Sequence, residues 1–333
     1  MKLLVVGGAG YIGSHMVKML SKSGHEVVVL DNLTTGFRES VKYGKLVVGD
    51  LADVNLLEML FMENDFDGVM HFAANSLVGE SVQNPAKYYR KNVANTLNLL
   101  DVMVRHYVKH FIFSSTAATF GEPDYTPIDE KHPQKPINPY GSSKLMIERI
   151  LQDYASAYGL NSVCLRYFNA CGADPEREIG ECHDPETHLI PLILQAASGR
   201  RESITVFGRD YDTPDGTCVR DYIHINDLCS AHALALDYIR SGDQNGAHAF
   251  NLGNGSGFSV QQVIDVVKGV VEKDGFNLIV EDGLRRPGDP AILVADASLA
   301  KNELAWRPMY EDLSIIIEHA WCWEMKMANI SAS

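Results

Sequence analysis

Tyr140 and Lys144 stand four residues apart in the run Tyr-Gly-Ser-Ser-Lys. On a helix that spacing puts both side chains on one face, so a phenol and an ammonium can address one ligand. An unperturbed phenol titrates near ~10. A neighbouring ammonium favours the phenolate and lowers that value, which gives a base usable near neutral pH. Pro139 suits a helix entrance. Leu145, Ile147, Ile150 and Leu151 then supply the apolar positions of a helix running from Tyr140 to Tyr158. Upstream, the strand-like run His110–Ser114 leads into Ser114-Ser115-Thr116. Ligands of doubly wound sheets bind beyond the carboxyl ends of strands, so the Thr116 hydroxyl can hold a reacting oxygen beside the phenol. The alternative is an ordinary surface Tyr–Lys pair.

The opening of the chain names what such a base would serve. Leu3–Val6 form a continuous apolar run suited to a buried parallel strand. Gly7, Gly10 and Gly13 follow at G-x-x-G-x-x-G spacing, and Ile12, Met16, Val17 and Leu20 then recur at helical intervals. Strand, glycine turn and helix are the context of the dinucleotide fingerprint. The first glycine permits the turn, the second lets backbone approach a pyrophosphate, and the third lets helix and strand pack closely. The anion rests on the helix start. A second apolar run, Val27–Leu30, ends at Asp31, where a ribose-binding acid is expected. A carboxylate there accepts from ribose hydroxyls and repels a 2′-phosphate, so NAD is expected rather than NADP. Arg38 is the rival phosphate ligand, set off from the strand end by the stretch Asn32 to Phe37. The positive nicotinamide ring would also favour the Tyr140 phenolate.

Strands are expected near 2–6, 26–30, 45–48, 67–72, 109–114 and 161–166, alternating with helices. That alternation predicts an α/β fold with a Rossmann-like, doubly wound parallel sheet. Asp50 and Leu51, and then Phe72, Ala73 and Ala74, follow two of these strands and face the adenosine half by the same rule. A helix is expected from about 85 to 106. Past about residue 170 the loops lengthen, and Gly, Pro and Asp cluster at 172–187 and 208–217. This predicts a dinucleotide-binding part over 1–170 and a smaller mixed α/β substrate lobe over 171–330. The chain crosses back to the sheet, so the two are interleaved.

At 333 residues the chain can bury a large core. A net charge of −14 argues against nucleic acid or anionic membranes as partners. No stretch is apolar enough to span a bilayer, and the chain starts in a strand rather than a leader, so a cytoplasmic protein is expected. The six cysteines show no paired spacing and read as reduced thiols. Cys171, Cys182, His183 and His188 match no common metal-ligand spacing, so no metal is expected.

The ordered motifs carry a resemblance. They are Gly-Gly-Ala-Gly-Tyr-Ile-Gly at Gly7–Gly13, Asp31-Asn32, Gly49-Asp50-Leu51, His71–Ala74, Ser114–Gly121, the Tyr140–Lys144 run, Arg166–Gly172, His188–Pro191, Gly216–His224 and Arg285–Pro290. Over residues 1 to 326 the chain resembles the extended short-chain dehydrogenase/reductase superfamily, and within it the UDP-hexose 4-epimerases. The resemblance implies transient oxidation at C4 of a UDP-hexose by tightly bound NAD, with Tyr140, Thr116 and Lys144 catalytic. It assigns Tyr11, Ile12, Asn32, Gly36, Ser114 and Tyr167 to the cofactor, and has Asn92 hydrogen-bond backbone nearby. It implies a homodimer formed by the helices near 85–106 and 140–159.

For the substrate, Arg220 and Arg286 are candidate cations for a diphosphate. Asn169 offers an amide, and Thr205, Val206 and Phe207 an edge and an apolar wall. Leu189 and Asp289 complete the set. His188 stands where some members carry Asn at the sugar phosphate. Leu293 stands where some carry a tyrosine beside the sugar's C2 substituent, which leaves room for N-acetylated sugars. The alternatives are a salt bridge from Arg220 to adjacent acids and core packing of Leu293. A 4,6-dehydratase or decarboxylase is the enzymatic rival. Dehydratases of the superfamily carry an acid pair after the Thr, and here Ala117 and Ala118 follow. A non-catalytic NAD-binding regulator is the rival of another class. It would need no base.

Overall fold

The computed structural model describes residues 1–242, 244–286 and 289–332. Six strands come first: β1 (Lys2–Val6), β2 (Glu26–Asp31), β3 (Lys45–Val48), β4 (Gly68–His71), β5 (His110–Thr116) and β6 (Asn161–Tyr167). Eight follow: β7 (Asn169–Cys171), β8 (Ile204–Phe207), β9 (Val219–Arg220), β10 (Tyr222–His224), β11 (Ala247–Leu252), β12 (Phe258–Ser259), β13 (Val280–Gly283) and β14 (Ile292–Leu293). The main sheet has the order β11-β6-β5-β4-β1-β2-β3, and every pairing in it is parallel.

The alternating residues of β1 explain its unbroken apolar run. Leu3 and Val5 enter one core, Leu4 and Val6 another, and all four are buried. On the first face lie the helices α1 (Tyr11–Lys22) and, from later in the chain, Ile225–Arg240. On the second lie α2 (Val54–Met62), with the helices Asn95–Arg105 and Pro139–Tyr158. Short helices α3 (Val78–Gln83) and α4 (Pro85–Tyr88) precede a six-residue π segment, Tyr89–Ala94, and then α5 (Asn95–Arg105). The single helix expected over 85–106 is therefore three segments. Asn92 sits in the π segment, buried.

Next come α6 (Pro139–Tyr158), α7 (Leu189–Ala197), α8 (Ile225–Arg240), α9 (Val260–Val271), α10 (Ser298–Glu303) and α11 (Leu313–Ala332). Asn138 caps α6, its side chain accepting from Gly141 N–H at 2.8 Å, with Pro139 in the first turn. Gly159 ends it at φ +67°, a left-handed conformation that favours glycine. A third core joins α7, α9, α11, β8 and β13 into the C-terminal lobe. Between these segments α8 and β11 return to the main sheet. No helix among the described residues is long and apolar enough to cross a membrane.

Candidate active site

The glycine turn is set by close backbone approach at two of its three positions. A Cβ on Gly7 would stand 2.5 Å from Ala73 N, and one on Gly13 would stand 2.1 Å from Gly7 O. Gly7 also needs its φ of +80°. Gly10 is different: a Cβ there would meet only Gly7 O, at 3.5 Å. Its open side lies at the start of α1, where Gly10 is the N-cap and offers no side chain to the helix. The first N–H groups of a helix lack intrahelical partners. A side-chain-free cradle with unclaimed donors fits a dinucleotide pyrophosphate. Ile12 packs into the core below, and the Tyr11 hydroxyl donates to Gly172 O at 2.7 Å.

Asp31 ends β2, buried, accepting from Ala9 N–H at 2.9 Å and Leu33 N–H at 2.8 Å. Each carboxylate oxygen keeps a second acceptor site for a ribose hydroxyl. Gly36 closes the loop over the turn, where a Cβ would come 2.8 Å from Ala9. Asn32 is exposed and donates to Asp50 at 2.8 Å, while Lys91 and Asn95 reach the same carboxylate at 3.0 and 3.1 Å. Backbone and side-chain donors hold the Asp50 carboxyl below its ordinary range, against the effect of its partial burial. Leu51 is buried beside it. Phe72 and Ala73 flank the glycine turn, with the Phe72 ring packed on His232 at 5.0 Å. Ala74 follows in the loop after β4. Asn92 brackets Asn75, accepting from its N–H at 2.9 Å and donating to its carbonyl at 3.0 Å. This is the backbone role the resemblance implied, with a further bond to Ser143 Oγ at 3.0 Å.

Thr116 ends β5 and Tyr140 opens α6. The Thr116 hydroxyl lies beside the Tyr140 phenol and favours its charged form, and its oxygen accepts from Ala118 N–H at 3.1 Å. Gly141 makes this approach possible, because a Cβ there would stand 2.3 Å from Ala118 O. Lys144, one turn on, is 3% exposed and donates to Ser114 O at 2.7 Å. An ammonium has three donors, so two remain for a ribose. Ser114 Oγ and Tyr167 OH lie 2.9 Å apart.

The electrostatics differ from the expectation. Tyr140 is half-buried as a residue, yet its phenol is enclosed, and desolvation raises its pKa while the neighbouring Thr116 hydroxyl opposes the rise. Lys144 is not among the groups that shift it. Its ammonium is turned to the Ser114 carbonyl, and burial brings its own pKa down to about 7. Burial outweighs the pairing that spacing alone suggested.

One element of this site was not read from sequence. Glu148, one turn beyond Lys144, forms a buried pair with Arg166 at 2.6 Å and accepts from Ser115 Oγ at 2.5 Å and Gln134 at 3.0 Å. Its i+4 spacing from Lys144 was the available sign.

The substrate candidates lie mostly in the lobe. Arg220 pairs with Asp289 rather than with the adjacent Asp221, and donates to Val219 O at 2.7 Å. Asp221 instead accepts from the N–H groups of Asn254, Gly255 and Ala295. Arg286 lies over the Phe207 ring at 4.0 Å. Pro287 and Gly288 of the same motif lie outside the described residues. Thr205 and Phe207 face away from the lobe core, whereas Val206 is buried in it and can offer only backbone. Asn169 is exposed on β7, with its N–H held by Asp221 O at 3.0 Å. Leu293 is half-buried in register with Arg220 and lies outside the three cores. Leu189 begins α7 and packs against the lobe core, and His188 is the N-cap before it. The His188 side chain bonds Glu181.

Residues 3–253 match the NAD dependent epimerase/dehydratase family. The chain is 51% identical to the UDP-glucose 4-epimerase of Halalkalibacterium halodurans over 97% of its length and 95% of the relative's. It is 52% identical to that of Streptococcus mutans, over 97% and 96%. The solved UDP-glucose 4-epimerase of Brucella ovis in complex with NAD superposes with a TM-score of 0.92 at 48% identity, covering 96% of this chain and 97% of that one. With the glycine cradle, the strand-end hydroxyl and the helical Tyr–Lys pair in their places along the whole chain, it belongs to the NAD dependent epimerase/dehydratase family.

Proposed function

We propose that this protein is a UDP-glucose 4-epimerase, an NAD-dependent isomerase that interconverts UDP-galactose and UDP-glucose. One observation carries the catalytic assignment: the Thr116 hydroxyl and the Tyr140 phenol stand together at the end of β5, with Lys144 anchored one turn away. Bound NAD supplies reversible hydride acceptance at C4. Tyr140 Oη takes the proton of the sugar 4-hydroxyl and returns it after the sugar has turned. Thr116 orients the oxygen that loses the proton. Lys144 uses its remaining donors to hold the cofactor ribose, and Asp31 accepts from the adenosine ribose. Among the substrate residues, Arg220 and Arg286 hold the diphosphate. Arg220 must exchange its partner Asp289 for phosphate oxygens, a trade between two anions of similar hydrogen-bonding geometry. Anchoring the nucleotide rather than the hexose leaves the oxidised sugar free to present either face.

A dehydratase would need a further acid and base after Thr116. Ala117–Thr119 form a short 3₁₀ turn there, and the nearby Glu148 is committed to Arg166. We assign the cofactor to the part built on 1–170 with later segments added, and the UDP-sugar to the lobe over 171–330. A cytoplasmic homodimer formed through α5 and α6, and slower action on UDP-N-acetylhexosamines, complete the proposal. The test is to incubate purified protein with UDP-galactose and no added NAD. UDP-glucose should accumulate toward an equilibrium reached from either sugar. NAD-loaded protein that forms none would overturn the assignment.

A further inference from the structure

Glu181, His183, Glu186 and His188 lie in the loop that leads into α7. One ligand atom from each sits within 4.8 Å of all the others. The side chains of Glu181 and Glu186 are each only 5% exposed. Buried carboxylates need a counter-charge. Nearby, Asp174, Glu176 and Glu178 have one: Lys18 reaches them at 2.7, 2.7 and 3.1 Å. No lysine or arginine among the described residues pairs with Glu181 or Glu186. Glu186 Oε1 accepts from the Thr187 and His188 N–H groups at 2.7 and 2.9 Å, and the titratable groups that face both carboxylates are the two imidazoles.

His183 Nδ1 shows how three of the four are arranged. It is a buried atom without a close hydrogen-bond partner, 3.3 Å from Glu181 Oε1 and 3.5 Å from Glu186 Oε1. Ligands around a common ion stand at such distances, whereas His188 Nδ1 meets Glu181 Oε1 directly and that pair must open to admit an ion. Zinc bonds of ~2.0–2.1 Å to nitrogen and oxygen give a tetrahedron with edges of roughly 3.3–3.4 Å. Two carboxylates balance a divalent charge, and two imidazoles with two carboxylates suit zinc among the common ions.

We propose that Glu181, His183, Glu186 and His188 form a closed, four-ligand site for a divalent cation of the zinc type. Four protein ligands leave no open position, so the ion is structural. It fixes His188, the N-cap of α7, which has no side-chain cap bond of its own. The His183 ring meets the Tyr11 ring edge-on with centroids 6.3 Å apart, and Trp323 Nε1 donates to Glu181 O at 2.9 Å. The site therefore clips the lobe loop between the dinucleotide turn and α11. It does not depend on which sugar the protein takes.

The test uses the untagged full chain. After growth in zinc-supplemented medium, elemental analysis should find zinc close to stoichiometric with protein. Chelator-stripped protein titrated with Co²⁺ should develop the visible bands of a tetrahedral nitrogen–oxygen site. His183→Ala and Glu186→Gln should each weaken zinc binding by ~100-fold or more, since even outer-shell partners are worth 10–100-fold. Background zinc together with no cobalt bands in the wild type would overturn the site and leave imidazolium–carboxylate pairs. A thiolate charge-transfer band would overturn this ligand set in favour of one including Cys182. Unchanged zinc affinity in both variants would place the metal elsewhere. If the variants fail to fold, the wild-type cobalt spectrum still decides.

Discussion

The end of β5 and the C-terminal lobe solve opposite problems. Thr116, Tyr140 and Lys144 are fixed by short-range and main-chain partners: Ala118 N–H, the Asn138 cap and the Ser114 carbonyl. The lobe residues are held by one another. Arg220 is on Asp289, Arg286 is over Phe207, and His188 is on Glu181. In the proposed reading Arg220 and Arg286 change partners to bind a diphosphate, while His188 stays with Glu181. The proposed function thus places chemistry on rigid element ends and recognition on exchangeable arginine contacts. The first should fail by losing rate and the second by losing affinity.

The largest expected effect tests the rigid side. Tyr140→Phe keeps the ring and removes the oxygen that accepts the proton. Turnover of UDP-galactose should fall ~10²–10⁴-fold, with bound NAD retained. Activity within a factor of two of wild type would remove Tyr140 from the role.

Lys144 gives a pH signature on the same side. Its folded pKa of about 7 lies well below a lysine's ordinary value of 10.5. In that window the unfolded chain binds more protons, so stability rises with pH, and below it the full cost of a buried ammonium remains. Lys144→Met should flatten that rise in urea unfolding. Equal pH slopes for the two proteins would show that the ammonium is not desolvated. Glu148→Ala leaves Arg166 buried and uncompensated, and should destabilise by about 3–5 kcal/mol. An unchanged unfolding midpoint would mean that water replaces the carboxylate.

The contrast also explains what the sequence disclosed. The glycine turn, Asp31, Thr116, Tyr140 and Lys144 are local: each depends on a strand end or a helix spacing visible within a few residues. The six expected strands fall within a few residues of β1–β6 for the same reason. Asp289 lies 69 residues from Arg220, and no periodicity links them. The seventh strand, Ala247–Leu252, carries a half-buried His248 and sits at the sheet edge, so its apolar pattern is weak. The Glu181–His188 cluster mixes residue types at spacings of two, three and two, which match no linear ligand motif. The Tyr140 shift was misjudged because spacing reports proximity and says nothing of desolvation.

On the exchangeable side, Arg220→Met should raise the KM for UDP-galactose about 10–100-fold with kcat nearly kept. Charge-assisted hydrogen bonds are worth about 1.5–3 kcal/mol, and binding that is equal in ground and transition states appears in KM. A kcat that fell as far as KM rose would make Arg220 part of the rigid, rate-setting group and erase the distinction.

Leu293 sets the smallest effect and the finest test of the lobe. It occupies β14 directly opposite Arg220, so a side chain there borders the anchor without carrying charge. Half-burial outside the cores leaves it available to the sugar rather than committed to packing. Leucine is smaller than tyrosine and has no hydroxyl, so the wild type should turn over UDP-N-acetylglucosamine, more slowly than UDP-glucose. Size discrimination in a pocket is worth only ~1–3 kcal/mol. Leu293→Tyr should therefore lower the ratio of the two activities by roughly tenfold, near the low end of that range, while leaving UDP-glucose turnover close to wild type. Because both sugars share the UDP that Arg220 is proposed to hold, the ratio cancels any loss of anchoring and isolates the space beside C2. An unchanged ratio would show that Leu293 does not border the sugar, and that the lobe discriminates through its ion pairs alone.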